Sequence, residues 1–360
     1  MIWLRIGQRA AVRGILAEVQ SRAGEVAVLA EHVGKTFTTT VSQPGFTGAV
    51  RSLFRPTKRT RVAVEDVSFA VAPAELVVLL GPNGAGKSTL IKMLTGVVQA
   101  STGRVLINGS DPRKDRIAIA RKIGVVFGQR SQLWWDLPVR QSFTVLQNIY
   151  GLSDSAMRRR LEQLDSTLAL SEFWDNKARN LSLGQRVRAD LAGALLHEPP
   201  VVFLDEPTIG MDVVAKEQVR RFLRQEVEER GCSVLLTTHD MNEVKRLGRR
   251  VIVIDSGRVV SDGDIAELRQ RFGAVFRIEV ELARSDAPVN VPGLAIAERR
   301  GPLVTLVPDR RTEPLPTLQE ALMAVTQTLE VESISVEEDD LEDVVRSAFL
   351  HYAEPEGHHL

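Results

Sequence analysis

The sequence predicts an α/β fold followed by a small α+β domain, and three observations carry that reading. The stretch AELVVLLGPNGAGKSTLIKMLTG runs from a strand-sized apolar segment through a glycine-rich turn into helical spacing at Leu90, Ile91, Met93 and Leu94. A second apolar segment, VVFLDEP, ends in two adjacent carboxylates. After DIAELRQRFG the pattern changes to the period-two alternation of VFRIEVEL, which marks a boundary.

The chain of 360 residues is too long for one small core and fits one large domain plus a smaller one. Lys+Arg 46 balances Asp+Glu 46, so no global field favours nucleic acid or an anionic membrane surface, and no nucleic-acid partner is expected. The single cysteine, Cys232, cannot form an internal disulfide, which fits a reducing compartment, and in CSVLLTT it reads as a buried small hydrophobe. The longest apolar runs, such as LVVLL and VIVI, are strand-sized, far from the roughly 18 residues that cross a bilayer.

Taken in chain order, residues 1–27 read as an N-terminal extension, expected to be mobile because Gly7 and Gly14 weaken a helix, with a membrane-surface helix as the alternative. HVGKTF and VAVEDVSFAV read as strands separated by TTTVSQPGFTGAVRSLFRPTKRT, an insertion near 38–61 expected to be a solvated loop. Next comes GxxxxGK[ST], framed by Gly81, Gly84 and Gly86 and completed by Lys87 and Ser88. Its glycines let backbone amides wrap phosphate oxygens and the following helix adds its positive end, so Gly81, Pro82, Asn83, Gly84, Ala85, Gly86, Lys87, Ser88 and Thr89 form a candidate nucleoside-triphosphate site. Lys87 supplies a point charge to the β- and γ-phosphates, and the Ser88 hydroxyl is a candidate Mg²⁺ ligand.

Residues 130–185 are helical in pattern: VRQSFTVLQNIYGL, then SAMRRRLEQLDSTLAL with Met157, Leu161, Leu164 and Leu168 on one face. The strand Val201 to Leu204 delivers Asp205 and Glu206 at its carboxyl end, where open α/β sheets bind ligands. Adjacent residues on an extended chain point different ways. Asp205 is therefore assigned to Mg²⁺, through water, and Glu206 to the attacking water as general base.

With these residues in view the chain resembles the ATP-binding cassette (ABC) ATPases over residues 28 to 270. GPNGAGKST resembles their Walker A motif, VVFLDE their Walker B and LSLGQ their signature, with Gln129 in VVFGQRSQLWW at the Q-loop, IGMD at the D-loop and LLTTHD at the switch histidine. The resemblance implies a P-loop NTPase cassette with a RecA-like core, an antiparallel β subdomain and a helical subdomain. It further implies ATP and Mg²⁺ as cofactors, ATP hydrolysis coupled to transport, and two cassettes facing head to tail. Ser182, Gly184 and Gln185 would then serve the nucleotide held by the other chain's Lys87 loop. A serine hydroxyl, a glycine amide and a helix start make a second anion site, which agrees.

The other roles follow from the same resemblance. Gln129 would touch Mg²⁺ or the lytic water, His239 would hydrogen-bond the γ-phosphate, and Asp212 would organise the dimer. Phe37 is nominated to stack on adenine, with Phe54 as its rival. Leu183 stands where the usual signature has glycine. The implied partners are one or two transmembrane permease subunits and a second ATPase subunit, identical or not, at the cytoplasmic face of the plasma membrane. Trp134 and Trp135 are either anchors for such a permease or core residues. GQRSQLWWDLP is also similar to ATPase subunits of a bacterial drug- or viologen-exporter-like branch. A soluble ABC ATPase acting on ribosomes or chromosomes, and an importer ATPase, are the alternatives.

The expected organisation is thus 28–272 as the ATP-binding domain, 273–350 as the accessory α+β domain and 351–360 as a tail. In the accessory domain VFRIEVEL, LVTLV and VESISVEE read as strands, and TLQEALMAVTQTL and DLEDVVRSAFLHY as helices. No metal spacing or nucleophile pair assigns chemistry to it.

Overall fold

The computed structural model describes residues 26–41, 57–128, 130–272, 276–285, 287–309, 312, 315–337, 341–342 and 344–345. Residues 1–25 of the expected extension, Phe54, Gln129 and the tail 351–360 lie outside the described residues. The chain divides into two compact units between Asp262 and Gly263.

In the first unit β1 (Val28–Val41) and β2 (Thr57–Val71) form a long antiparallel ladder. β3 (Leu76–Leu80) leads through the glycine loop into α1 (Lys87–Leu94), and β4 (Thr102–Ile107) closes the three-stranded order β2-β1-β4. Then follow α2 (Arg116–Ala120), β5 (Ile123–Phe127), α3 (Val139–Tyr150), α4 (Asp154–Leu168), α5 (Leu183–Leu195), β6 (Val201–Asp205), α6 (Val213–Arg230), β7 (Ser233–Thr238), α7 (Met241–Leu247), β8 (Arg250–Asp255) and β9 (Arg258–Gly263).

Among the described residues the main sheet has six strands in the order β5-β6-β7-β3-β8-β9. Its β5-β6, β6-β7, β3-β7 and β3-β8 ladders are parallel. β3, β6 and β7 are buried along their whole length, as strands covered on both faces must be, which is why their centres read as apolar runs, LVVLL, VVFL and VLL. Leu90, Ile91 and Leu94 of α1 join Val77, Leu79, Phe203, Leu235 and Ile252 in one core.

The helical stretch matches its apolar spacing. In α4, Met157, Leu164 and Leu168 are buried, and Ser153 caps the helix by accepting from the Ala156 amide at 3.3 Å. Two features correct the sequence reading. Residues 38–41 and 57–61, expected within a loop, continue the β1-β2 ladder, with Thr38 opposite Thr60 and Val41 opposite Thr57. Thr38, Thr39, Arg59, Thr60 and Arg61 are all exposed, so no apolar alternation marked them.

The second unit begins with α8 (Ile265–Phe272) and carries β10 (Arg277–Leu282), β11 (Leu294–Arg300), β12 (Leu303–Pro308), α9 (Leu318–Thr328) and β13 (Val331–Glu337). Its four-stranded sheet, ordered β11-β12-β10-β13, is antiparallel throughout. Ile278, Val280, Val304 and Leu306 pack with Ala321 and Val325 of α9. The edge strand β11 is the second correction: its five residues from Ile296 to Arg300 are exposed, so LAIAERR lacks a buried face to betray it.

Candidate nucleotide site

The loop after β3 is shaped by what its glycines allow. A Cβ on Gly81 would lie 2.2 Å from the Ile254 carbonyl oxygen, so only glycine passes there. Gly86 caps α1 with φ +102°, and a Cβ on it would meet the Ala63 carbonyl oxygen at 2.5 Å. The Ser256-Gly257 turn between β8 and β9 braces the loop from outside, with the Gly257 amide donating to the Ala85 carbonyl at 2.9 Å.

Lys87 is 4% exposed. Its Nζ donates to the carbonyls of Gly81 at 2.6 Å and Pro82 at 3.1 Å and lies 3.6 Å from Glu206 Oε1. Burial pulls its ammonium below the ordinary lysine range, while the carboxylates of Glu206 and Asp205 oppose that shift.

Asp205 and Glu206 stand at the carboxyl end of β6, and their surroundings differ. The Asp205 Oδ1 accepts hydrogen bonds from Ser88 Oγ at 3.0 Å and Thr237 Oγ1 at 2.7 Å. Thr237 is opposite Asp205 in the β6-β7 register. Sequence reasoning missed it; the signal was its place two residues before His239 on the neighbouring strand. Glu206 turns out of the strand with φ +52°, a left-handed conformation that costs about 1–3 kcal/mol in a residue other than glycine. The Glu206 amide is held by the Thr237 carbonyl at 3.2 Å and hydroxyl at 3.0 Å. His239 Nδ1 comes within 3.2 Å of Glu206 Oε1. Lys87, Ser88, Asp205, Glu206 and His239 thus form one polar cluster across the ends of three neighbouring strands, β6, β7 and β3.

A divalent cation fits this donor set. The Ser88 hydroxyl and Asp205 carboxylate are hard oxygen ligands 3.0 Å apart at the start of the helix that follows the glycine loop, a donor set Mg²⁺ uses when phosphates and water complete its shell.

The other predicted residues form a different group. Ser182 caps α5 in a reciprocal box, accepting from the Gln185 amide at 3.2 Å while its own amide donates to Gln185 Oε1 at 2.9 Å. Asp212 caps α6 by accepting from the Ala215 amide at 2.9 Å. These two helix starts are neighbours, because a Cβ on Gly184 would be 3.6 Å from the Ala215 Cβ. Leu183 lies over the intervening loop, its Cδ2 2.7 Å from where a Gly210 Cβ would be. Leu183, Ile209, Val213 and Val214 leave 41%, 45%, 76% and 70% of their surface exposed.

Phe37 is half exposed on β1, with Lys35 Nζ 5.1 Å from its ring. Trp134 and Trp135 are both exposed, which closes the alternative that they are core residues. Cys232 is buried, and burial pushes its thiol up to about 12. No helix of the described residues is long and apolar enough to cross a membrane.

Comparison with known proteins agrees with this geometry. The family described as ABC transporter matches residues 64–209. The chain is 33% identical over 292 residues to the daunorubicin resistance ATP-binding protein DrrA3 of Streptomyces coeruleorubidus, covering 80% of this chain and 90% of that one. It is 31% identical over 215 residues to the ABC transporter ATP-binding protein NatA of Bacillus subtilis, 60% of this chain and 87% of that one. Among solved structures, an ATP-binding subunit of an ABC transporter is similar at a TM-score of 0.58 and 26% identity, over 69% of this chain and 93% of that one. The dimeric cassette MJ0796, bound to ADP and Pi, is similar at a TM-score of 0.55 and 28% identity, over 66% of this chain and 98% of that one. A braced phosphate loop facing paired carboxylates, in a chain whose relatives are transporter ATP-binding proteins, has one family to belong to: the chain is an ATPase of the ABC transporter family.

Proposed function

We propose that the chain powers export through a membrane transporter, binding ATP between the Lys87 loop of one cassette and the Ser182 helix of a second. One observation carries this reading. The phosphate loop and the Asp205, Glu206 and His239 cluster are gathered at the strand ends, whereas two helix starts, at Ser182 and Asp212, lie side by side among exposed apolar residues. A helix start carries the positive end of its dipole and serves an anion, and an apolar rim serves a protein surface. A second ATPase subunit satisfies both. The drug-resistance names of relatives support the outward direction.

In this reading Lys87 exchanges its bonds to the Gly81 and Pro82 carbonyls for the β- and γ-phosphates, and backbone amides of the glycine loop other than that of Pro82, which has none, wrap them. Ser88, Asp205 and Gln129 would hold Mg²⁺, which would supply neutralisation of phosphate charge. Glu206 accepts a proton from the attacking water, with its Oε1 3.2 Å from His239 Nδ1. His239 reaches the γ-phosphate and orients Glu206. Phe37 stacks on adenine. Gly184 and Gln185 complete the Ser182 site, with Asp212 ordering the contact between cassettes. One or two transmembrane permease subunits dock on the helical part, with the ATPase peripheral at the cytoplasmic face of the plasma membrane, and Trp134 and Trp135 offer exposed anchors.

The test is purification of a tagged Glu206→Gln chain from solubilised host membranes with Mg·ATP, followed by mass spectrometry. One or two polytopic membrane proteins are expected. Ribosomal or DNA-associated proteins, with nothing from the membrane, would overturn the transport reading and leave the ATPase standing.

A further inference from the structure

Asp190 is a carboxylate on the Ser182 helix that is 5% exposed and has no part in the nucleotide cluster. Its Oδ1 accepts from Ser131 Oγ at 2.9 Å and from the Gln132 amide at 3.0 Å. The Gln132 side chain returns the link by donating to the Asp190 carbonyl. Gly193, one turn onward, leaves room for it: a Cβ there would be 2.9 Å from Gln132 Nε2. One turn back, the Arg186 guanidinium lies 4.8 Å from the Trp135 ring, and its charge faces Asp190. Trp135 is held again through its carbonyl, which accepts from the Arg179 amide at 3.1 Å. Three residues of one helix face therefore grip three of the five residues from Ser131 to Trp135, the stretch just after Gln129.

We propose that Asp190 is a positioning residue: it straps the Ser131–Trp135 stretch to the helix that begins at Ser182, so that both turn as one piece. The inference rests on the functional reading above. In that reading Ser182 and Gly184 close on the other chain's nucleotide, and Trp134 and Trp135 face the permease. The strap makes these two faces a single rigid body. Asp190 reaches neither nucleotide nor water; it acts through what it holds. A buried carboxylate is costly unless hydrogen-bonded, and burial pushes Asp190 up to about 6, so an apolar residue would serve mere packing better.

The experiment uses the full chain with Asp190→Ala, Asp190→Asn, Ser131→Ala and the Asp190→Ala/Ser131→Ala double variant. ATP affinity of the Lys87 loop is read by titration, and steady-state hydrolysis gives kcat and KM. ATP affinity and KM should stay within about twofold, while kcat falls about tenfold or more in Asp190→Ala, because a small misplacement of a closing group slows the step and spares binding. Asp190→Asn keeps an oxygen acceptor and should recover part of that loss without melting below wild type. The double variant should be no slower than Asp190→Ala, since both changes cut the same strap. Wild-type kcat in Asp190→Ala, or effects of the two sites that simply multiply, would overturn the proposal. A loss of kcat in Asp190→Asn that only follows a lowered melting temperature would overturn it too. Glu206→Gln in parallel separates the two layers: if it is inactive while Asp190→Ala is fully active, only this inference fails; if it turns over normally, the functional reading falls first.

Discussion

Replacing Glu226 by glutamine should destabilise the first unit more than any surface change, and the structure gives the size. Arg160 on α4 and Glu226 on α6 have side chains only 2% and 5% exposed, with Nη2 and Oε2 2.8 Å apart. Arg160 Nε also donates to the Leu195 carbonyl at 3.1 Å, while its Nη1 is buried without a partner. Removing the negative charge leaves this guanidinium uncompensated in a dry site, which costs about 3–5 kcal/mol. The converse change is milder. In Arg160→Met the carboxylate keeps Arg230, whose Nε lies 3.2 Å from Glu226 Oε1, and the unsatisfied Nη1 disappears. That loss should stay below about 2 kcal/mol. At roughly 2–4 °C per kcal/mol for a unit of this size, Glu226→Gln should melt on the order of 10 °C lower. Urea and thermal unfolding followed by circular dichroism measure both variants. A cost below about 1 kcal/mol for Glu226→Gln, or a larger cost for Arg160→Met, would refute the argument that the unpaired cation, and not the lost contact, dominates.

Glu206→Gln should retain ATP binding, because Lys87 and the glycine loop are untouched, yet lose about 10²–10⁴-fold in turnover, as removal of a general base does; phosphate release and nucleotide titration check it. Gly81→Ala should abolish nucleotide binding or folding of the loop, since its Cβ would sit 2.2 Å from a strand carbonyl, and a binding isotherm alongside a melting curve decides which. Stability against pH carries two opposed contributions. Asp190, raised from 3.8 to about 6 by burial, binds its proton more tightly when folded, so its contribution is lost as pH rises through that window. His197, lowered from 6.5 to about 4 by burial, must stay neutral in the fold, so its contribution is gained as pH rises through nearly the same window. The wild type should therefore show a nearly flat urea midpoint from about pH 4 to 6.5, whereas Asp190→Asn should reveal the rising His197 limb, worth up to about 3 kcal/mol.

What the sequence made legible was what is local. The phosphate loop needs a strand, glycines and a helix start within a few residues, and all of them are contiguous from Leu76 to Leu94. The same holds for the Ser182 cap, where the partner Gln185 is three residues on. Contacts made across the sheet were not legible. Thr237 fixes Asp205 from the neighbouring strand, and Ser131 meets Asp190 across 59 positions; neither spacing leaves a trace in a linear pattern. Strands went unseen where exposure hides the alternation, as along β11 and at Thr38, Thr39 and Arg59 to Arg61 of the outer β1-β2 ladder, because alternation records burial and not pairing. The exposure of both tryptophans was equally beyond reach, since an aromatic after a turn reads the same inside or out.

The outer ladder has one further consequence, for how such a chain tolerates change. From Thr36 opposite Val62 to Val41 opposite Thr57 the register is unbroken, while its irregularities lie nearer the core, between Ala30 and Thr36. That arm is consequently modular. Removing or adding cross-strand residues two at a time on each side keeps every remaining side chain on its own face and leaves the kinked inner part, with Val64 beside Gly86, as it was. Changes of length in this arm therefore leave the phosphate loop at its base undisturbed.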